Sequence, residues 1–220
     1  MTSPHHLHAT RTTWALDVAL TRLHQLARLE TRHRSDQYLA AADRLRSPIY
    51  GVRHATGDHA DPVGAVLTAP EGSGHTSGWV ELSQRAHDRL TWIATQFRAQ
   101  PGQAPLTAIR NRIPMLLPGT AALLAKHLAD EDTWIRAAVR LEPAGMPLVG
   151  VPCPRCGHRT LTAHTDGPTN TWTITCTCLC VGQGCRCGMP GAVEGAQHIW
   201  PRNVVLTPAT TSNEGESDRG

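Results

Sequence analysis

All seven cysteines of this 220-residue chain fall between Cys153 and Cys187. That crowding constrains the fold more than any other feature. Thiols gathered in one short segment cross-link, carry redox chemistry or hold a metal. The stretch "CPRCG" (153–157) sets two sulfurs on one tight turn, and Gly157 can take the left-handed backbone that such a turn needs. "HRTLTAH" alternates and is rich in Thr, which suits a strand. "TDGPTN" is turn chemistry. "TWTITC" alternates again through Trp172, Ile174 and Cys176. A hairpin of these two strands returns Cys176 to the Cys153–Cys156 turn, so the spacing predicts a zinc ribbon.

A structural zinc takes four Cys or His ligands in a tetrahedron. Cys176, Cys178 and Cys180 alternate along the chain, so they share a face of an extended segment. Two of them complete the site begun by Cys153 and Cys156, and Cys176 with Cys178 is the first choice. Cys180, Cys185 and Cys187 then meet across the turn Gly182-Gln183-Gly184 and lack one ligand. His198, in "QHIWP", is the best candidate for it, with His158 and His164 as alternatives. Two other arrangements stay open. The sites can interleave, with Cys185 and Cys187 serving the first metal, or one zinc can leave three thiols unused. The expected cofactor is thus one or two Zn²⁺. A redox Cys-x-x-Cys pair opens a helix after a strand, whereas this one precedes a strand. Cysteines alone can also hold an iron–sulfur cluster, but no ferredoxin-type spacing is present.

The remainder of the chain makes the expected fold class α+β. A mainly α-helical N-terminal domain is followed by a small Cys-rich, zinc-ribbon-like β domain. The boundaries expected are a disordered, His-rich N-terminus (1–11), a helical domain (12–142) with a long loop at 49–80, and a Pro/Gly linker (143–150). The ribbon (151–201) and a disordered tail (202–220) follow. The first helix, capped by Thr12 or Thr13, carries the stripe Leu16, Leu20, Leu23 and Ala27 and breaks near Ser35, where "ETRHRSD" is fully polar. A second spans 83–99 with Ser83 as cap, burying Ala86, Leu90, Ile93, Ala94 and Phe97. A weaker helix over 105–117 is interrupted by Pro114. Two further helices are capped by Thr120 and Asp132.

Net charge is only +3, too small to imply nucleic acid by itself. Residues 11–53 nevertheless hold eight Arg against four acids. Arg22, Arg28, Arg32 and Arg34, with His24 and His33, are the candidates for phosphate contact. The competing reading makes them the solvated face of an amphipathic helix. No segment reaches the roughly 20 apolar residues that span a bilayer, and the N-terminus lacks a secretory apolar run. The chain therefore reads as soluble and cytoplasmic, with nucleic acid or another protein as partner, no membrane and no small-molecule substrate. It does not read as an enzyme: phosphate loop, nucleophile elbow and His-Glu-x-x-His are all missing. His59 in "GDHAD" (57–61) sits between acids, but exposed loop residues are the simpler reading.

A helical part, then "WIRAAVRLEPAG", "CPRCGHRTL" and a Cys-rich end closing on "HIWP", resembles uncharacterised proteins of actinobacteria and their phages. Those carry a helical segment ahead of a C-terminal zinc ribbon. The resemblance spans roughly residues 83 to 200, and its specific part is the ribbon. It implies a phage or mobile-element setting but carries no established activity. The residues themselves read as a zinc-binding accessory protein, nucleic-acid-binding or regulatory. A protein-interaction module with purely structural zinc is the alternative.

Overall fold

The computed structural model describes residues 3–45, 78–98, 102–187, 189 and 191–206, with 41–45 described as backbone. Among these residues four helices come first: α1 (Pro4–Leu45), α2 (Trp79–Gln96), α3 (Pro105–Arg112) with a 3₁₀ turn at Ile113–Met115, and α4 (Pro118–Val139). An antiparallel sheet follows, in the order β1 (Met146–Pro147), β2 (Leu161–His164), β3 (Thr173–Leu179), β4 (Gln197–Pro201), and a short α5 (Arg202–Val205) closes it. The architecture is α+β, as the sequence predicts.

The helical core forms where apolar stripes meet. Leu16, Leu20 and Leu23 of α1 pack against Leu124, Leu128 and Ile135 of α4 and Leu82, Ala86 and Leu90 of α2. Ile93 and Phe97 join that cluster half-buried. A second cluster joins Leu161, Ile174, Ile199 and Trp200 to the cysteines.

Several expected boundaries shift, each for a local reason. Residues 4–11 are helical, not disordered. Pro4 is preorganised for a first helical position, and Ser3 O accepts from His6 N and Leu7 N. The turn is tied down by His6 Nε2 on Leu116 O (2.8 Å) and His8 Nε2 on Gln197 O (3.0 Å). Thr12 and Thr13 are therefore inside α1, their hydroxyls bonding back to His8 O and Thr10 O. The break near Ser35 does not occur. No Gly or Pro interrupts the stretch, and polar pairs one turn apart support it: Arg34 with Glu30, and Gln37 with His33. α2 begins at Trp79, ahead of Ser83, because Glu30 Oε2 accepts from Val80 N (3.0 Å). α4 is one helix. Thr120 and Asp132 lie inside it, and Asp132 pairs with Arg136 (2.8 Å) instead of capping. The 143–150 linker supplies β1, Met146 facing Ala163. Residues 202–205 of the tail form α5. Positions 49–77 of the expected loop and 207–220 of the tail lie outside the described residues.

The first turns of α1 lie on the sheet. Arg11 donates to His164 Nε2 (3.3 Å), which also meets the Thr175 hydroxyl (3.0 Å). A guanidinium only donates, so Nε2 is the acceptor and the neutral ring keeps its proton on Nδ1. Gly167 has φ +84, and a Cβ there would run into the Trp14 ring. Burial, then Arg11 and His8, push His164 down to about 3. Burial and Arg11 push His8 down to about 4, against the raising effect of its bond to Gln197. Asp132 and Asp166 also face Arg11.

Both histidines fold as neutral rings, whereas the unfolded chain protonates them near pH 6.5. Their contribution is complete above pH 6.5 and is lost as pH falls toward 4 and 3. The slope is up to about 1.4 kcal/mol per pH unit for each ring. Urea midpoints are expected to drop between pH 7 and 5.5, and less so in His8→Gln/His164→Gln, which separates this effect from proton competition at the thiols. Equal drops in both proteins would sink the assignment.

Candidate metal centre

The first sulfur pair sits on a turn closed by backbone bonds. Gly157 N donates to Cys153 O (3.0 Å) and Cys153 N to His158 O (2.8 Å), with Gly157 at φ +72. The Arg155 amide points at Cys153 Sγ (3.4 Å). Opposite the turn stands β3, whose Cys176 pairs in register with Leu161 of β2. Cys176 and Cys178 alternate, so both reach the same side of the sheet. Cys153 Sγ is 3.7 Å from Cys178 Sγ, and Cys156 Sγ is 3.8 Å from Cys176 Sγ. All four sulfurs lie within 4.8 Å of one another.

Those spacings select among the possible chemistries. A disulfide needs sulfurs about 2.05 Å apart, so these thiols are free. A regular tetrahedron with arms of about 2.3 Å has edges of about 3.8 Å, the sulfur spacing of a zinc–thiolate site.

The second group is Cys180, Cys185, Cys187 and His198, also within 4.8 Å. β3 and β4 stay paired beyond the strand end through Cys180 N to Ala196 O and Gly195 N to Cys180 O, both 2.8 Å. The turn Gly182-Gln183-Gly184 returns the chain, with Cys185 N on Gly182 O. Between the pairs Thr175↔Ile199 and Leu179↔Gln197 the ladder is irregular, with residues 176–178 facing the single residue 198. This bulge re-aims side chains and places His198 beside Cys178. His198 is fully buried, and its ring stacks on Trp200 (5.5 Å, 10°). The indole N–H of Trp200 in turn donates to Cys187 O (2.8 Å). His198 Nδ1 donates to Cys178 O (3.1 Å), which leaves the Nε2 lone pair free. Nε2 lies 3.5 Å from Cys185 Sγ. A tetrahedral edge between an S arm of about 2.3 Å and an N arm of about 2.05 Å is about 3.6 Å.

Electrostatics within each group favour a cation. Burial opposes the Cys176 thiolate, yet the Cys178 backbone N–H, the Thr160 hydroxyl (3.2 Å) and neighbouring thiols lower it to about 6. Burial and its neighbours push Cys178 upward. The Val181 backbone N–H and the His198 ring lower Cys185 to about 6, while burial raises Cys187 to about 11. Like charges this close cannot all persist uncompensated. A divalent ion removes that conflict for the whole set.

Each sequence-derived candidate now has a place. Cys153, Cys156, Cys176 and Cys178 come together, as do Cys180, Cys185, Cys187 and His198. The sulfurs do not interleave. His158 contributes only its backbone carbonyl to the turn, and His164 belongs to the contact with α1. His59 lies outside the described residues. Two participants were missed. The Thr160 hydroxyl meets Cys176 Sγ, and the Arg155 guanidinium interacts electrostatically with the Cys185 sulfur. Arg155's position inside "CPRCG" is the only sequence signal for either.

The four candidate arginines, all on α1, separate. Arg34 pairs with Glu30, and Arg22 reaches Gln25 (3.5 Å). Arg28 and Arg32 line a groove of about 590 Å³ between α1 and α2, together with His24, Thr31, Ser83 and Gln84. Among the described residues, no helix is long and apolar enough to cross a membrane. Comparison with known protein families, curated proteins and solved structures returns no match.

Proposed function

We propose that this chain is a zinc-binding accessory protein whose two Zn²⁺ ions are structural and whose helical domain contacts nucleic acid. The observation that carries the zinc reading is the pair of complete four-ligand groups with zinc-like edges. Thiolate with imidazole suits zinc among the common divalent ions. Side chains fill all four positions of each site, whereas catalytic zinc keeps one open for water, so the reading is non-enzymatic. A reducing cytoplasm, where thiols stay available to metal, is its natural setting. The resemblance to actinobacterial and actinophage proteins supports a phage or mobile-element context.

Four thiolates around one Zn²⁺ leave two net negative charges, and three leave one. The ribbon thus repels phosphate, and nucleic acid belongs on the helices. There Arg28 and Arg32 share a groove with His24, and among the described residues no acid lines it. Binding to heparin or a DNA duplex at low salt is expected, with a strong salt dependence. Arg28→Ala/Arg32→Ala removes two phosphate contacts and lowers the log–log salt slope by about 2. No retention at low salt, or an unchanged slope, would remove nucleic acid from the reading.

One observation favours a protein-interaction module instead. A second groove, of about 840 Å³, opens beside α1 with Leu26, Leu29, Trp79 and Trp134 in its lining. Self-association without DNA retention would select that alternative.

A further inference from the structure

We infer that the two metal centres load as one cooperative unit, linked by His198 to Cys178 and by Arg155 to Cys185. The inference rests on the zinc reading above and adds a prediction that independent sites do not make. His198 faces both groups at once. Its Nε2 is 3.5 Å from Cys185 Sγ in the second group, and its Nδ1 is 3.1 Å from both the carbonyl oxygen and the Sγ of Cys178 in the first. The exposed Arg155 guanidinium, on the first turn, adds an electrostatic interaction with the Cys185 sulfur of the second group. Cys178 and Cys180 add a third tie, since one strand end serves both sites.

The physical consequence is reciprocal. A free imidazole can carry its proton on either nitrogen. Metal on Nε2 fixes the proton on Nδ1, where it points at Cys178. Metal on Cys178 holds that sulfur as a thiolate, the better acceptor for the Nδ1 proton, and this strengthens Nε2 as a ligand. Closing the first turn likewise sets the Arg155 guanidinium against the Cys185 thiolate. Thermodynamic linkage requires each ion to raise the affinity for the other by one common factor.

The test is a zinc titration of the metal-stripped full chain, read by native mass spectrometry as the populations carrying zero, one and two ions. Two independent sites at one zinc per chain leave at least about half of the molecules singly loaded. The expected wild-type result is a minor singly loaded peak between dominant zero- and two-zinc peaks. Two variants test the links. His198→Cys keeps a ligand for the second ion and removes the Nδ1 proton. Arg155→Gln keeps every ligand and removes the guanidinium. At least one is expected to raise the singly loaded peak toward half, and if His198→Cys holds one ion only, Arg155→Gln decides. A wild-type chain singly loaded to half or more overturns the inference while leaving two zinc sites standing. So do variants as cooperative as wild type. A chain that takes up no zinc overturns both readings.

Discussion

Stripping metal from the folded chain is expected to unfold residues 151–201 and to leave α2, α3 and α4 helical. The apolar interior around the sheet is small: Leu161, Ile174, Ile199, Trp200 and Met189, with cysteines making up much of the rest. About 50 residues bury too little surface to hold together without a staple. Metal binding at structural zinc sites is worth roughly 10–16 kcal/mol, and that free energy is folding free energy. The helical core has its own apolar cluster, which needs no cysteine. The first turns of α1 also lean on the ribbon, through Leu7 in the sheet cluster, His8 on Gln197 O, Arg11 on His164 and Trp14 against Gly167. Hydrogen exchange before and after a strong chelator is the measurement. Protection in β2, β3 and β4 is expected to vanish, α1 to fray up to about Arg11, and the rest to persist. Full protection of β3 in chelator would contradict this. Cys153→Ser and Cys180→Ser should each reproduce the loss, since either removes a buried ligand.

The second large effect lies in the helical domain. Arg136 Nε bonds both Asp132 oxygens (2.8 and 3.0 Å), while its other nitrogens donate to Ala15 O and Glu142 O (both 2.9 Å). One buried guanidinium therefore joins α4, α1 and the chain leaving α4. Burial already raises Asp132 above the ordinary carboxylate range, with Arg136 opposing the shift. Arg136→Ala leaves that carboxylate buried and unpaired and is expected to cost about 3–5 kcal/mol. Asp132→Leu/Arg136→Met removes both charges and should recover much of the loss. Denaturant melts of the zinc-loaded variants decide it. An Arg136→Ala protein within about 1 kcal/mol of wild type would mean that the pair is replaced by solvent.

The site was more legible in the sequence than the boundaries around it. Alternation at Cys176, Cys178 and Cys180, with turn residues at 157 and 182–184, is local chemistry that a sequence displays directly. His198 stands out over His158 and His164 because it follows a short loop and precedes an apolar anchor, and the structure groups it with the three remaining thiols. The bulge opposite residue 198 left no such trace, because register irregularities depend on two strands at once. The helix ends failed for a related reason. Thr12, Thr13, Ser83 and Asp132 all look like caps. Residues distant in sequence (Leu116 and Gln197 for the start of α1, Glu30 for α2) satisfy or extend those ends instead. Asp132 reads as a cap until Arg136 is seen one turn away in a buried setting, where pairing outweighs capping. The fully polar stretch of α1 shows the converse. Weak propensity does not break a helix that lacks Gly and Pro and has hydroxyl and ion-pair contacts one turn apart.

X-ray absorption at the zinc edge of the purified protein bears most directly on two tetrahedral centres organising residues 151–201. Two ions per chain are expected, sharing a first shell of seven sulfurs at about 2.3 Å and one imidazole nitrogen at about 2.0–2.1 Å. An oxygen-rich shell, or a single ion bound by only some of the seven thiols, would contradict it.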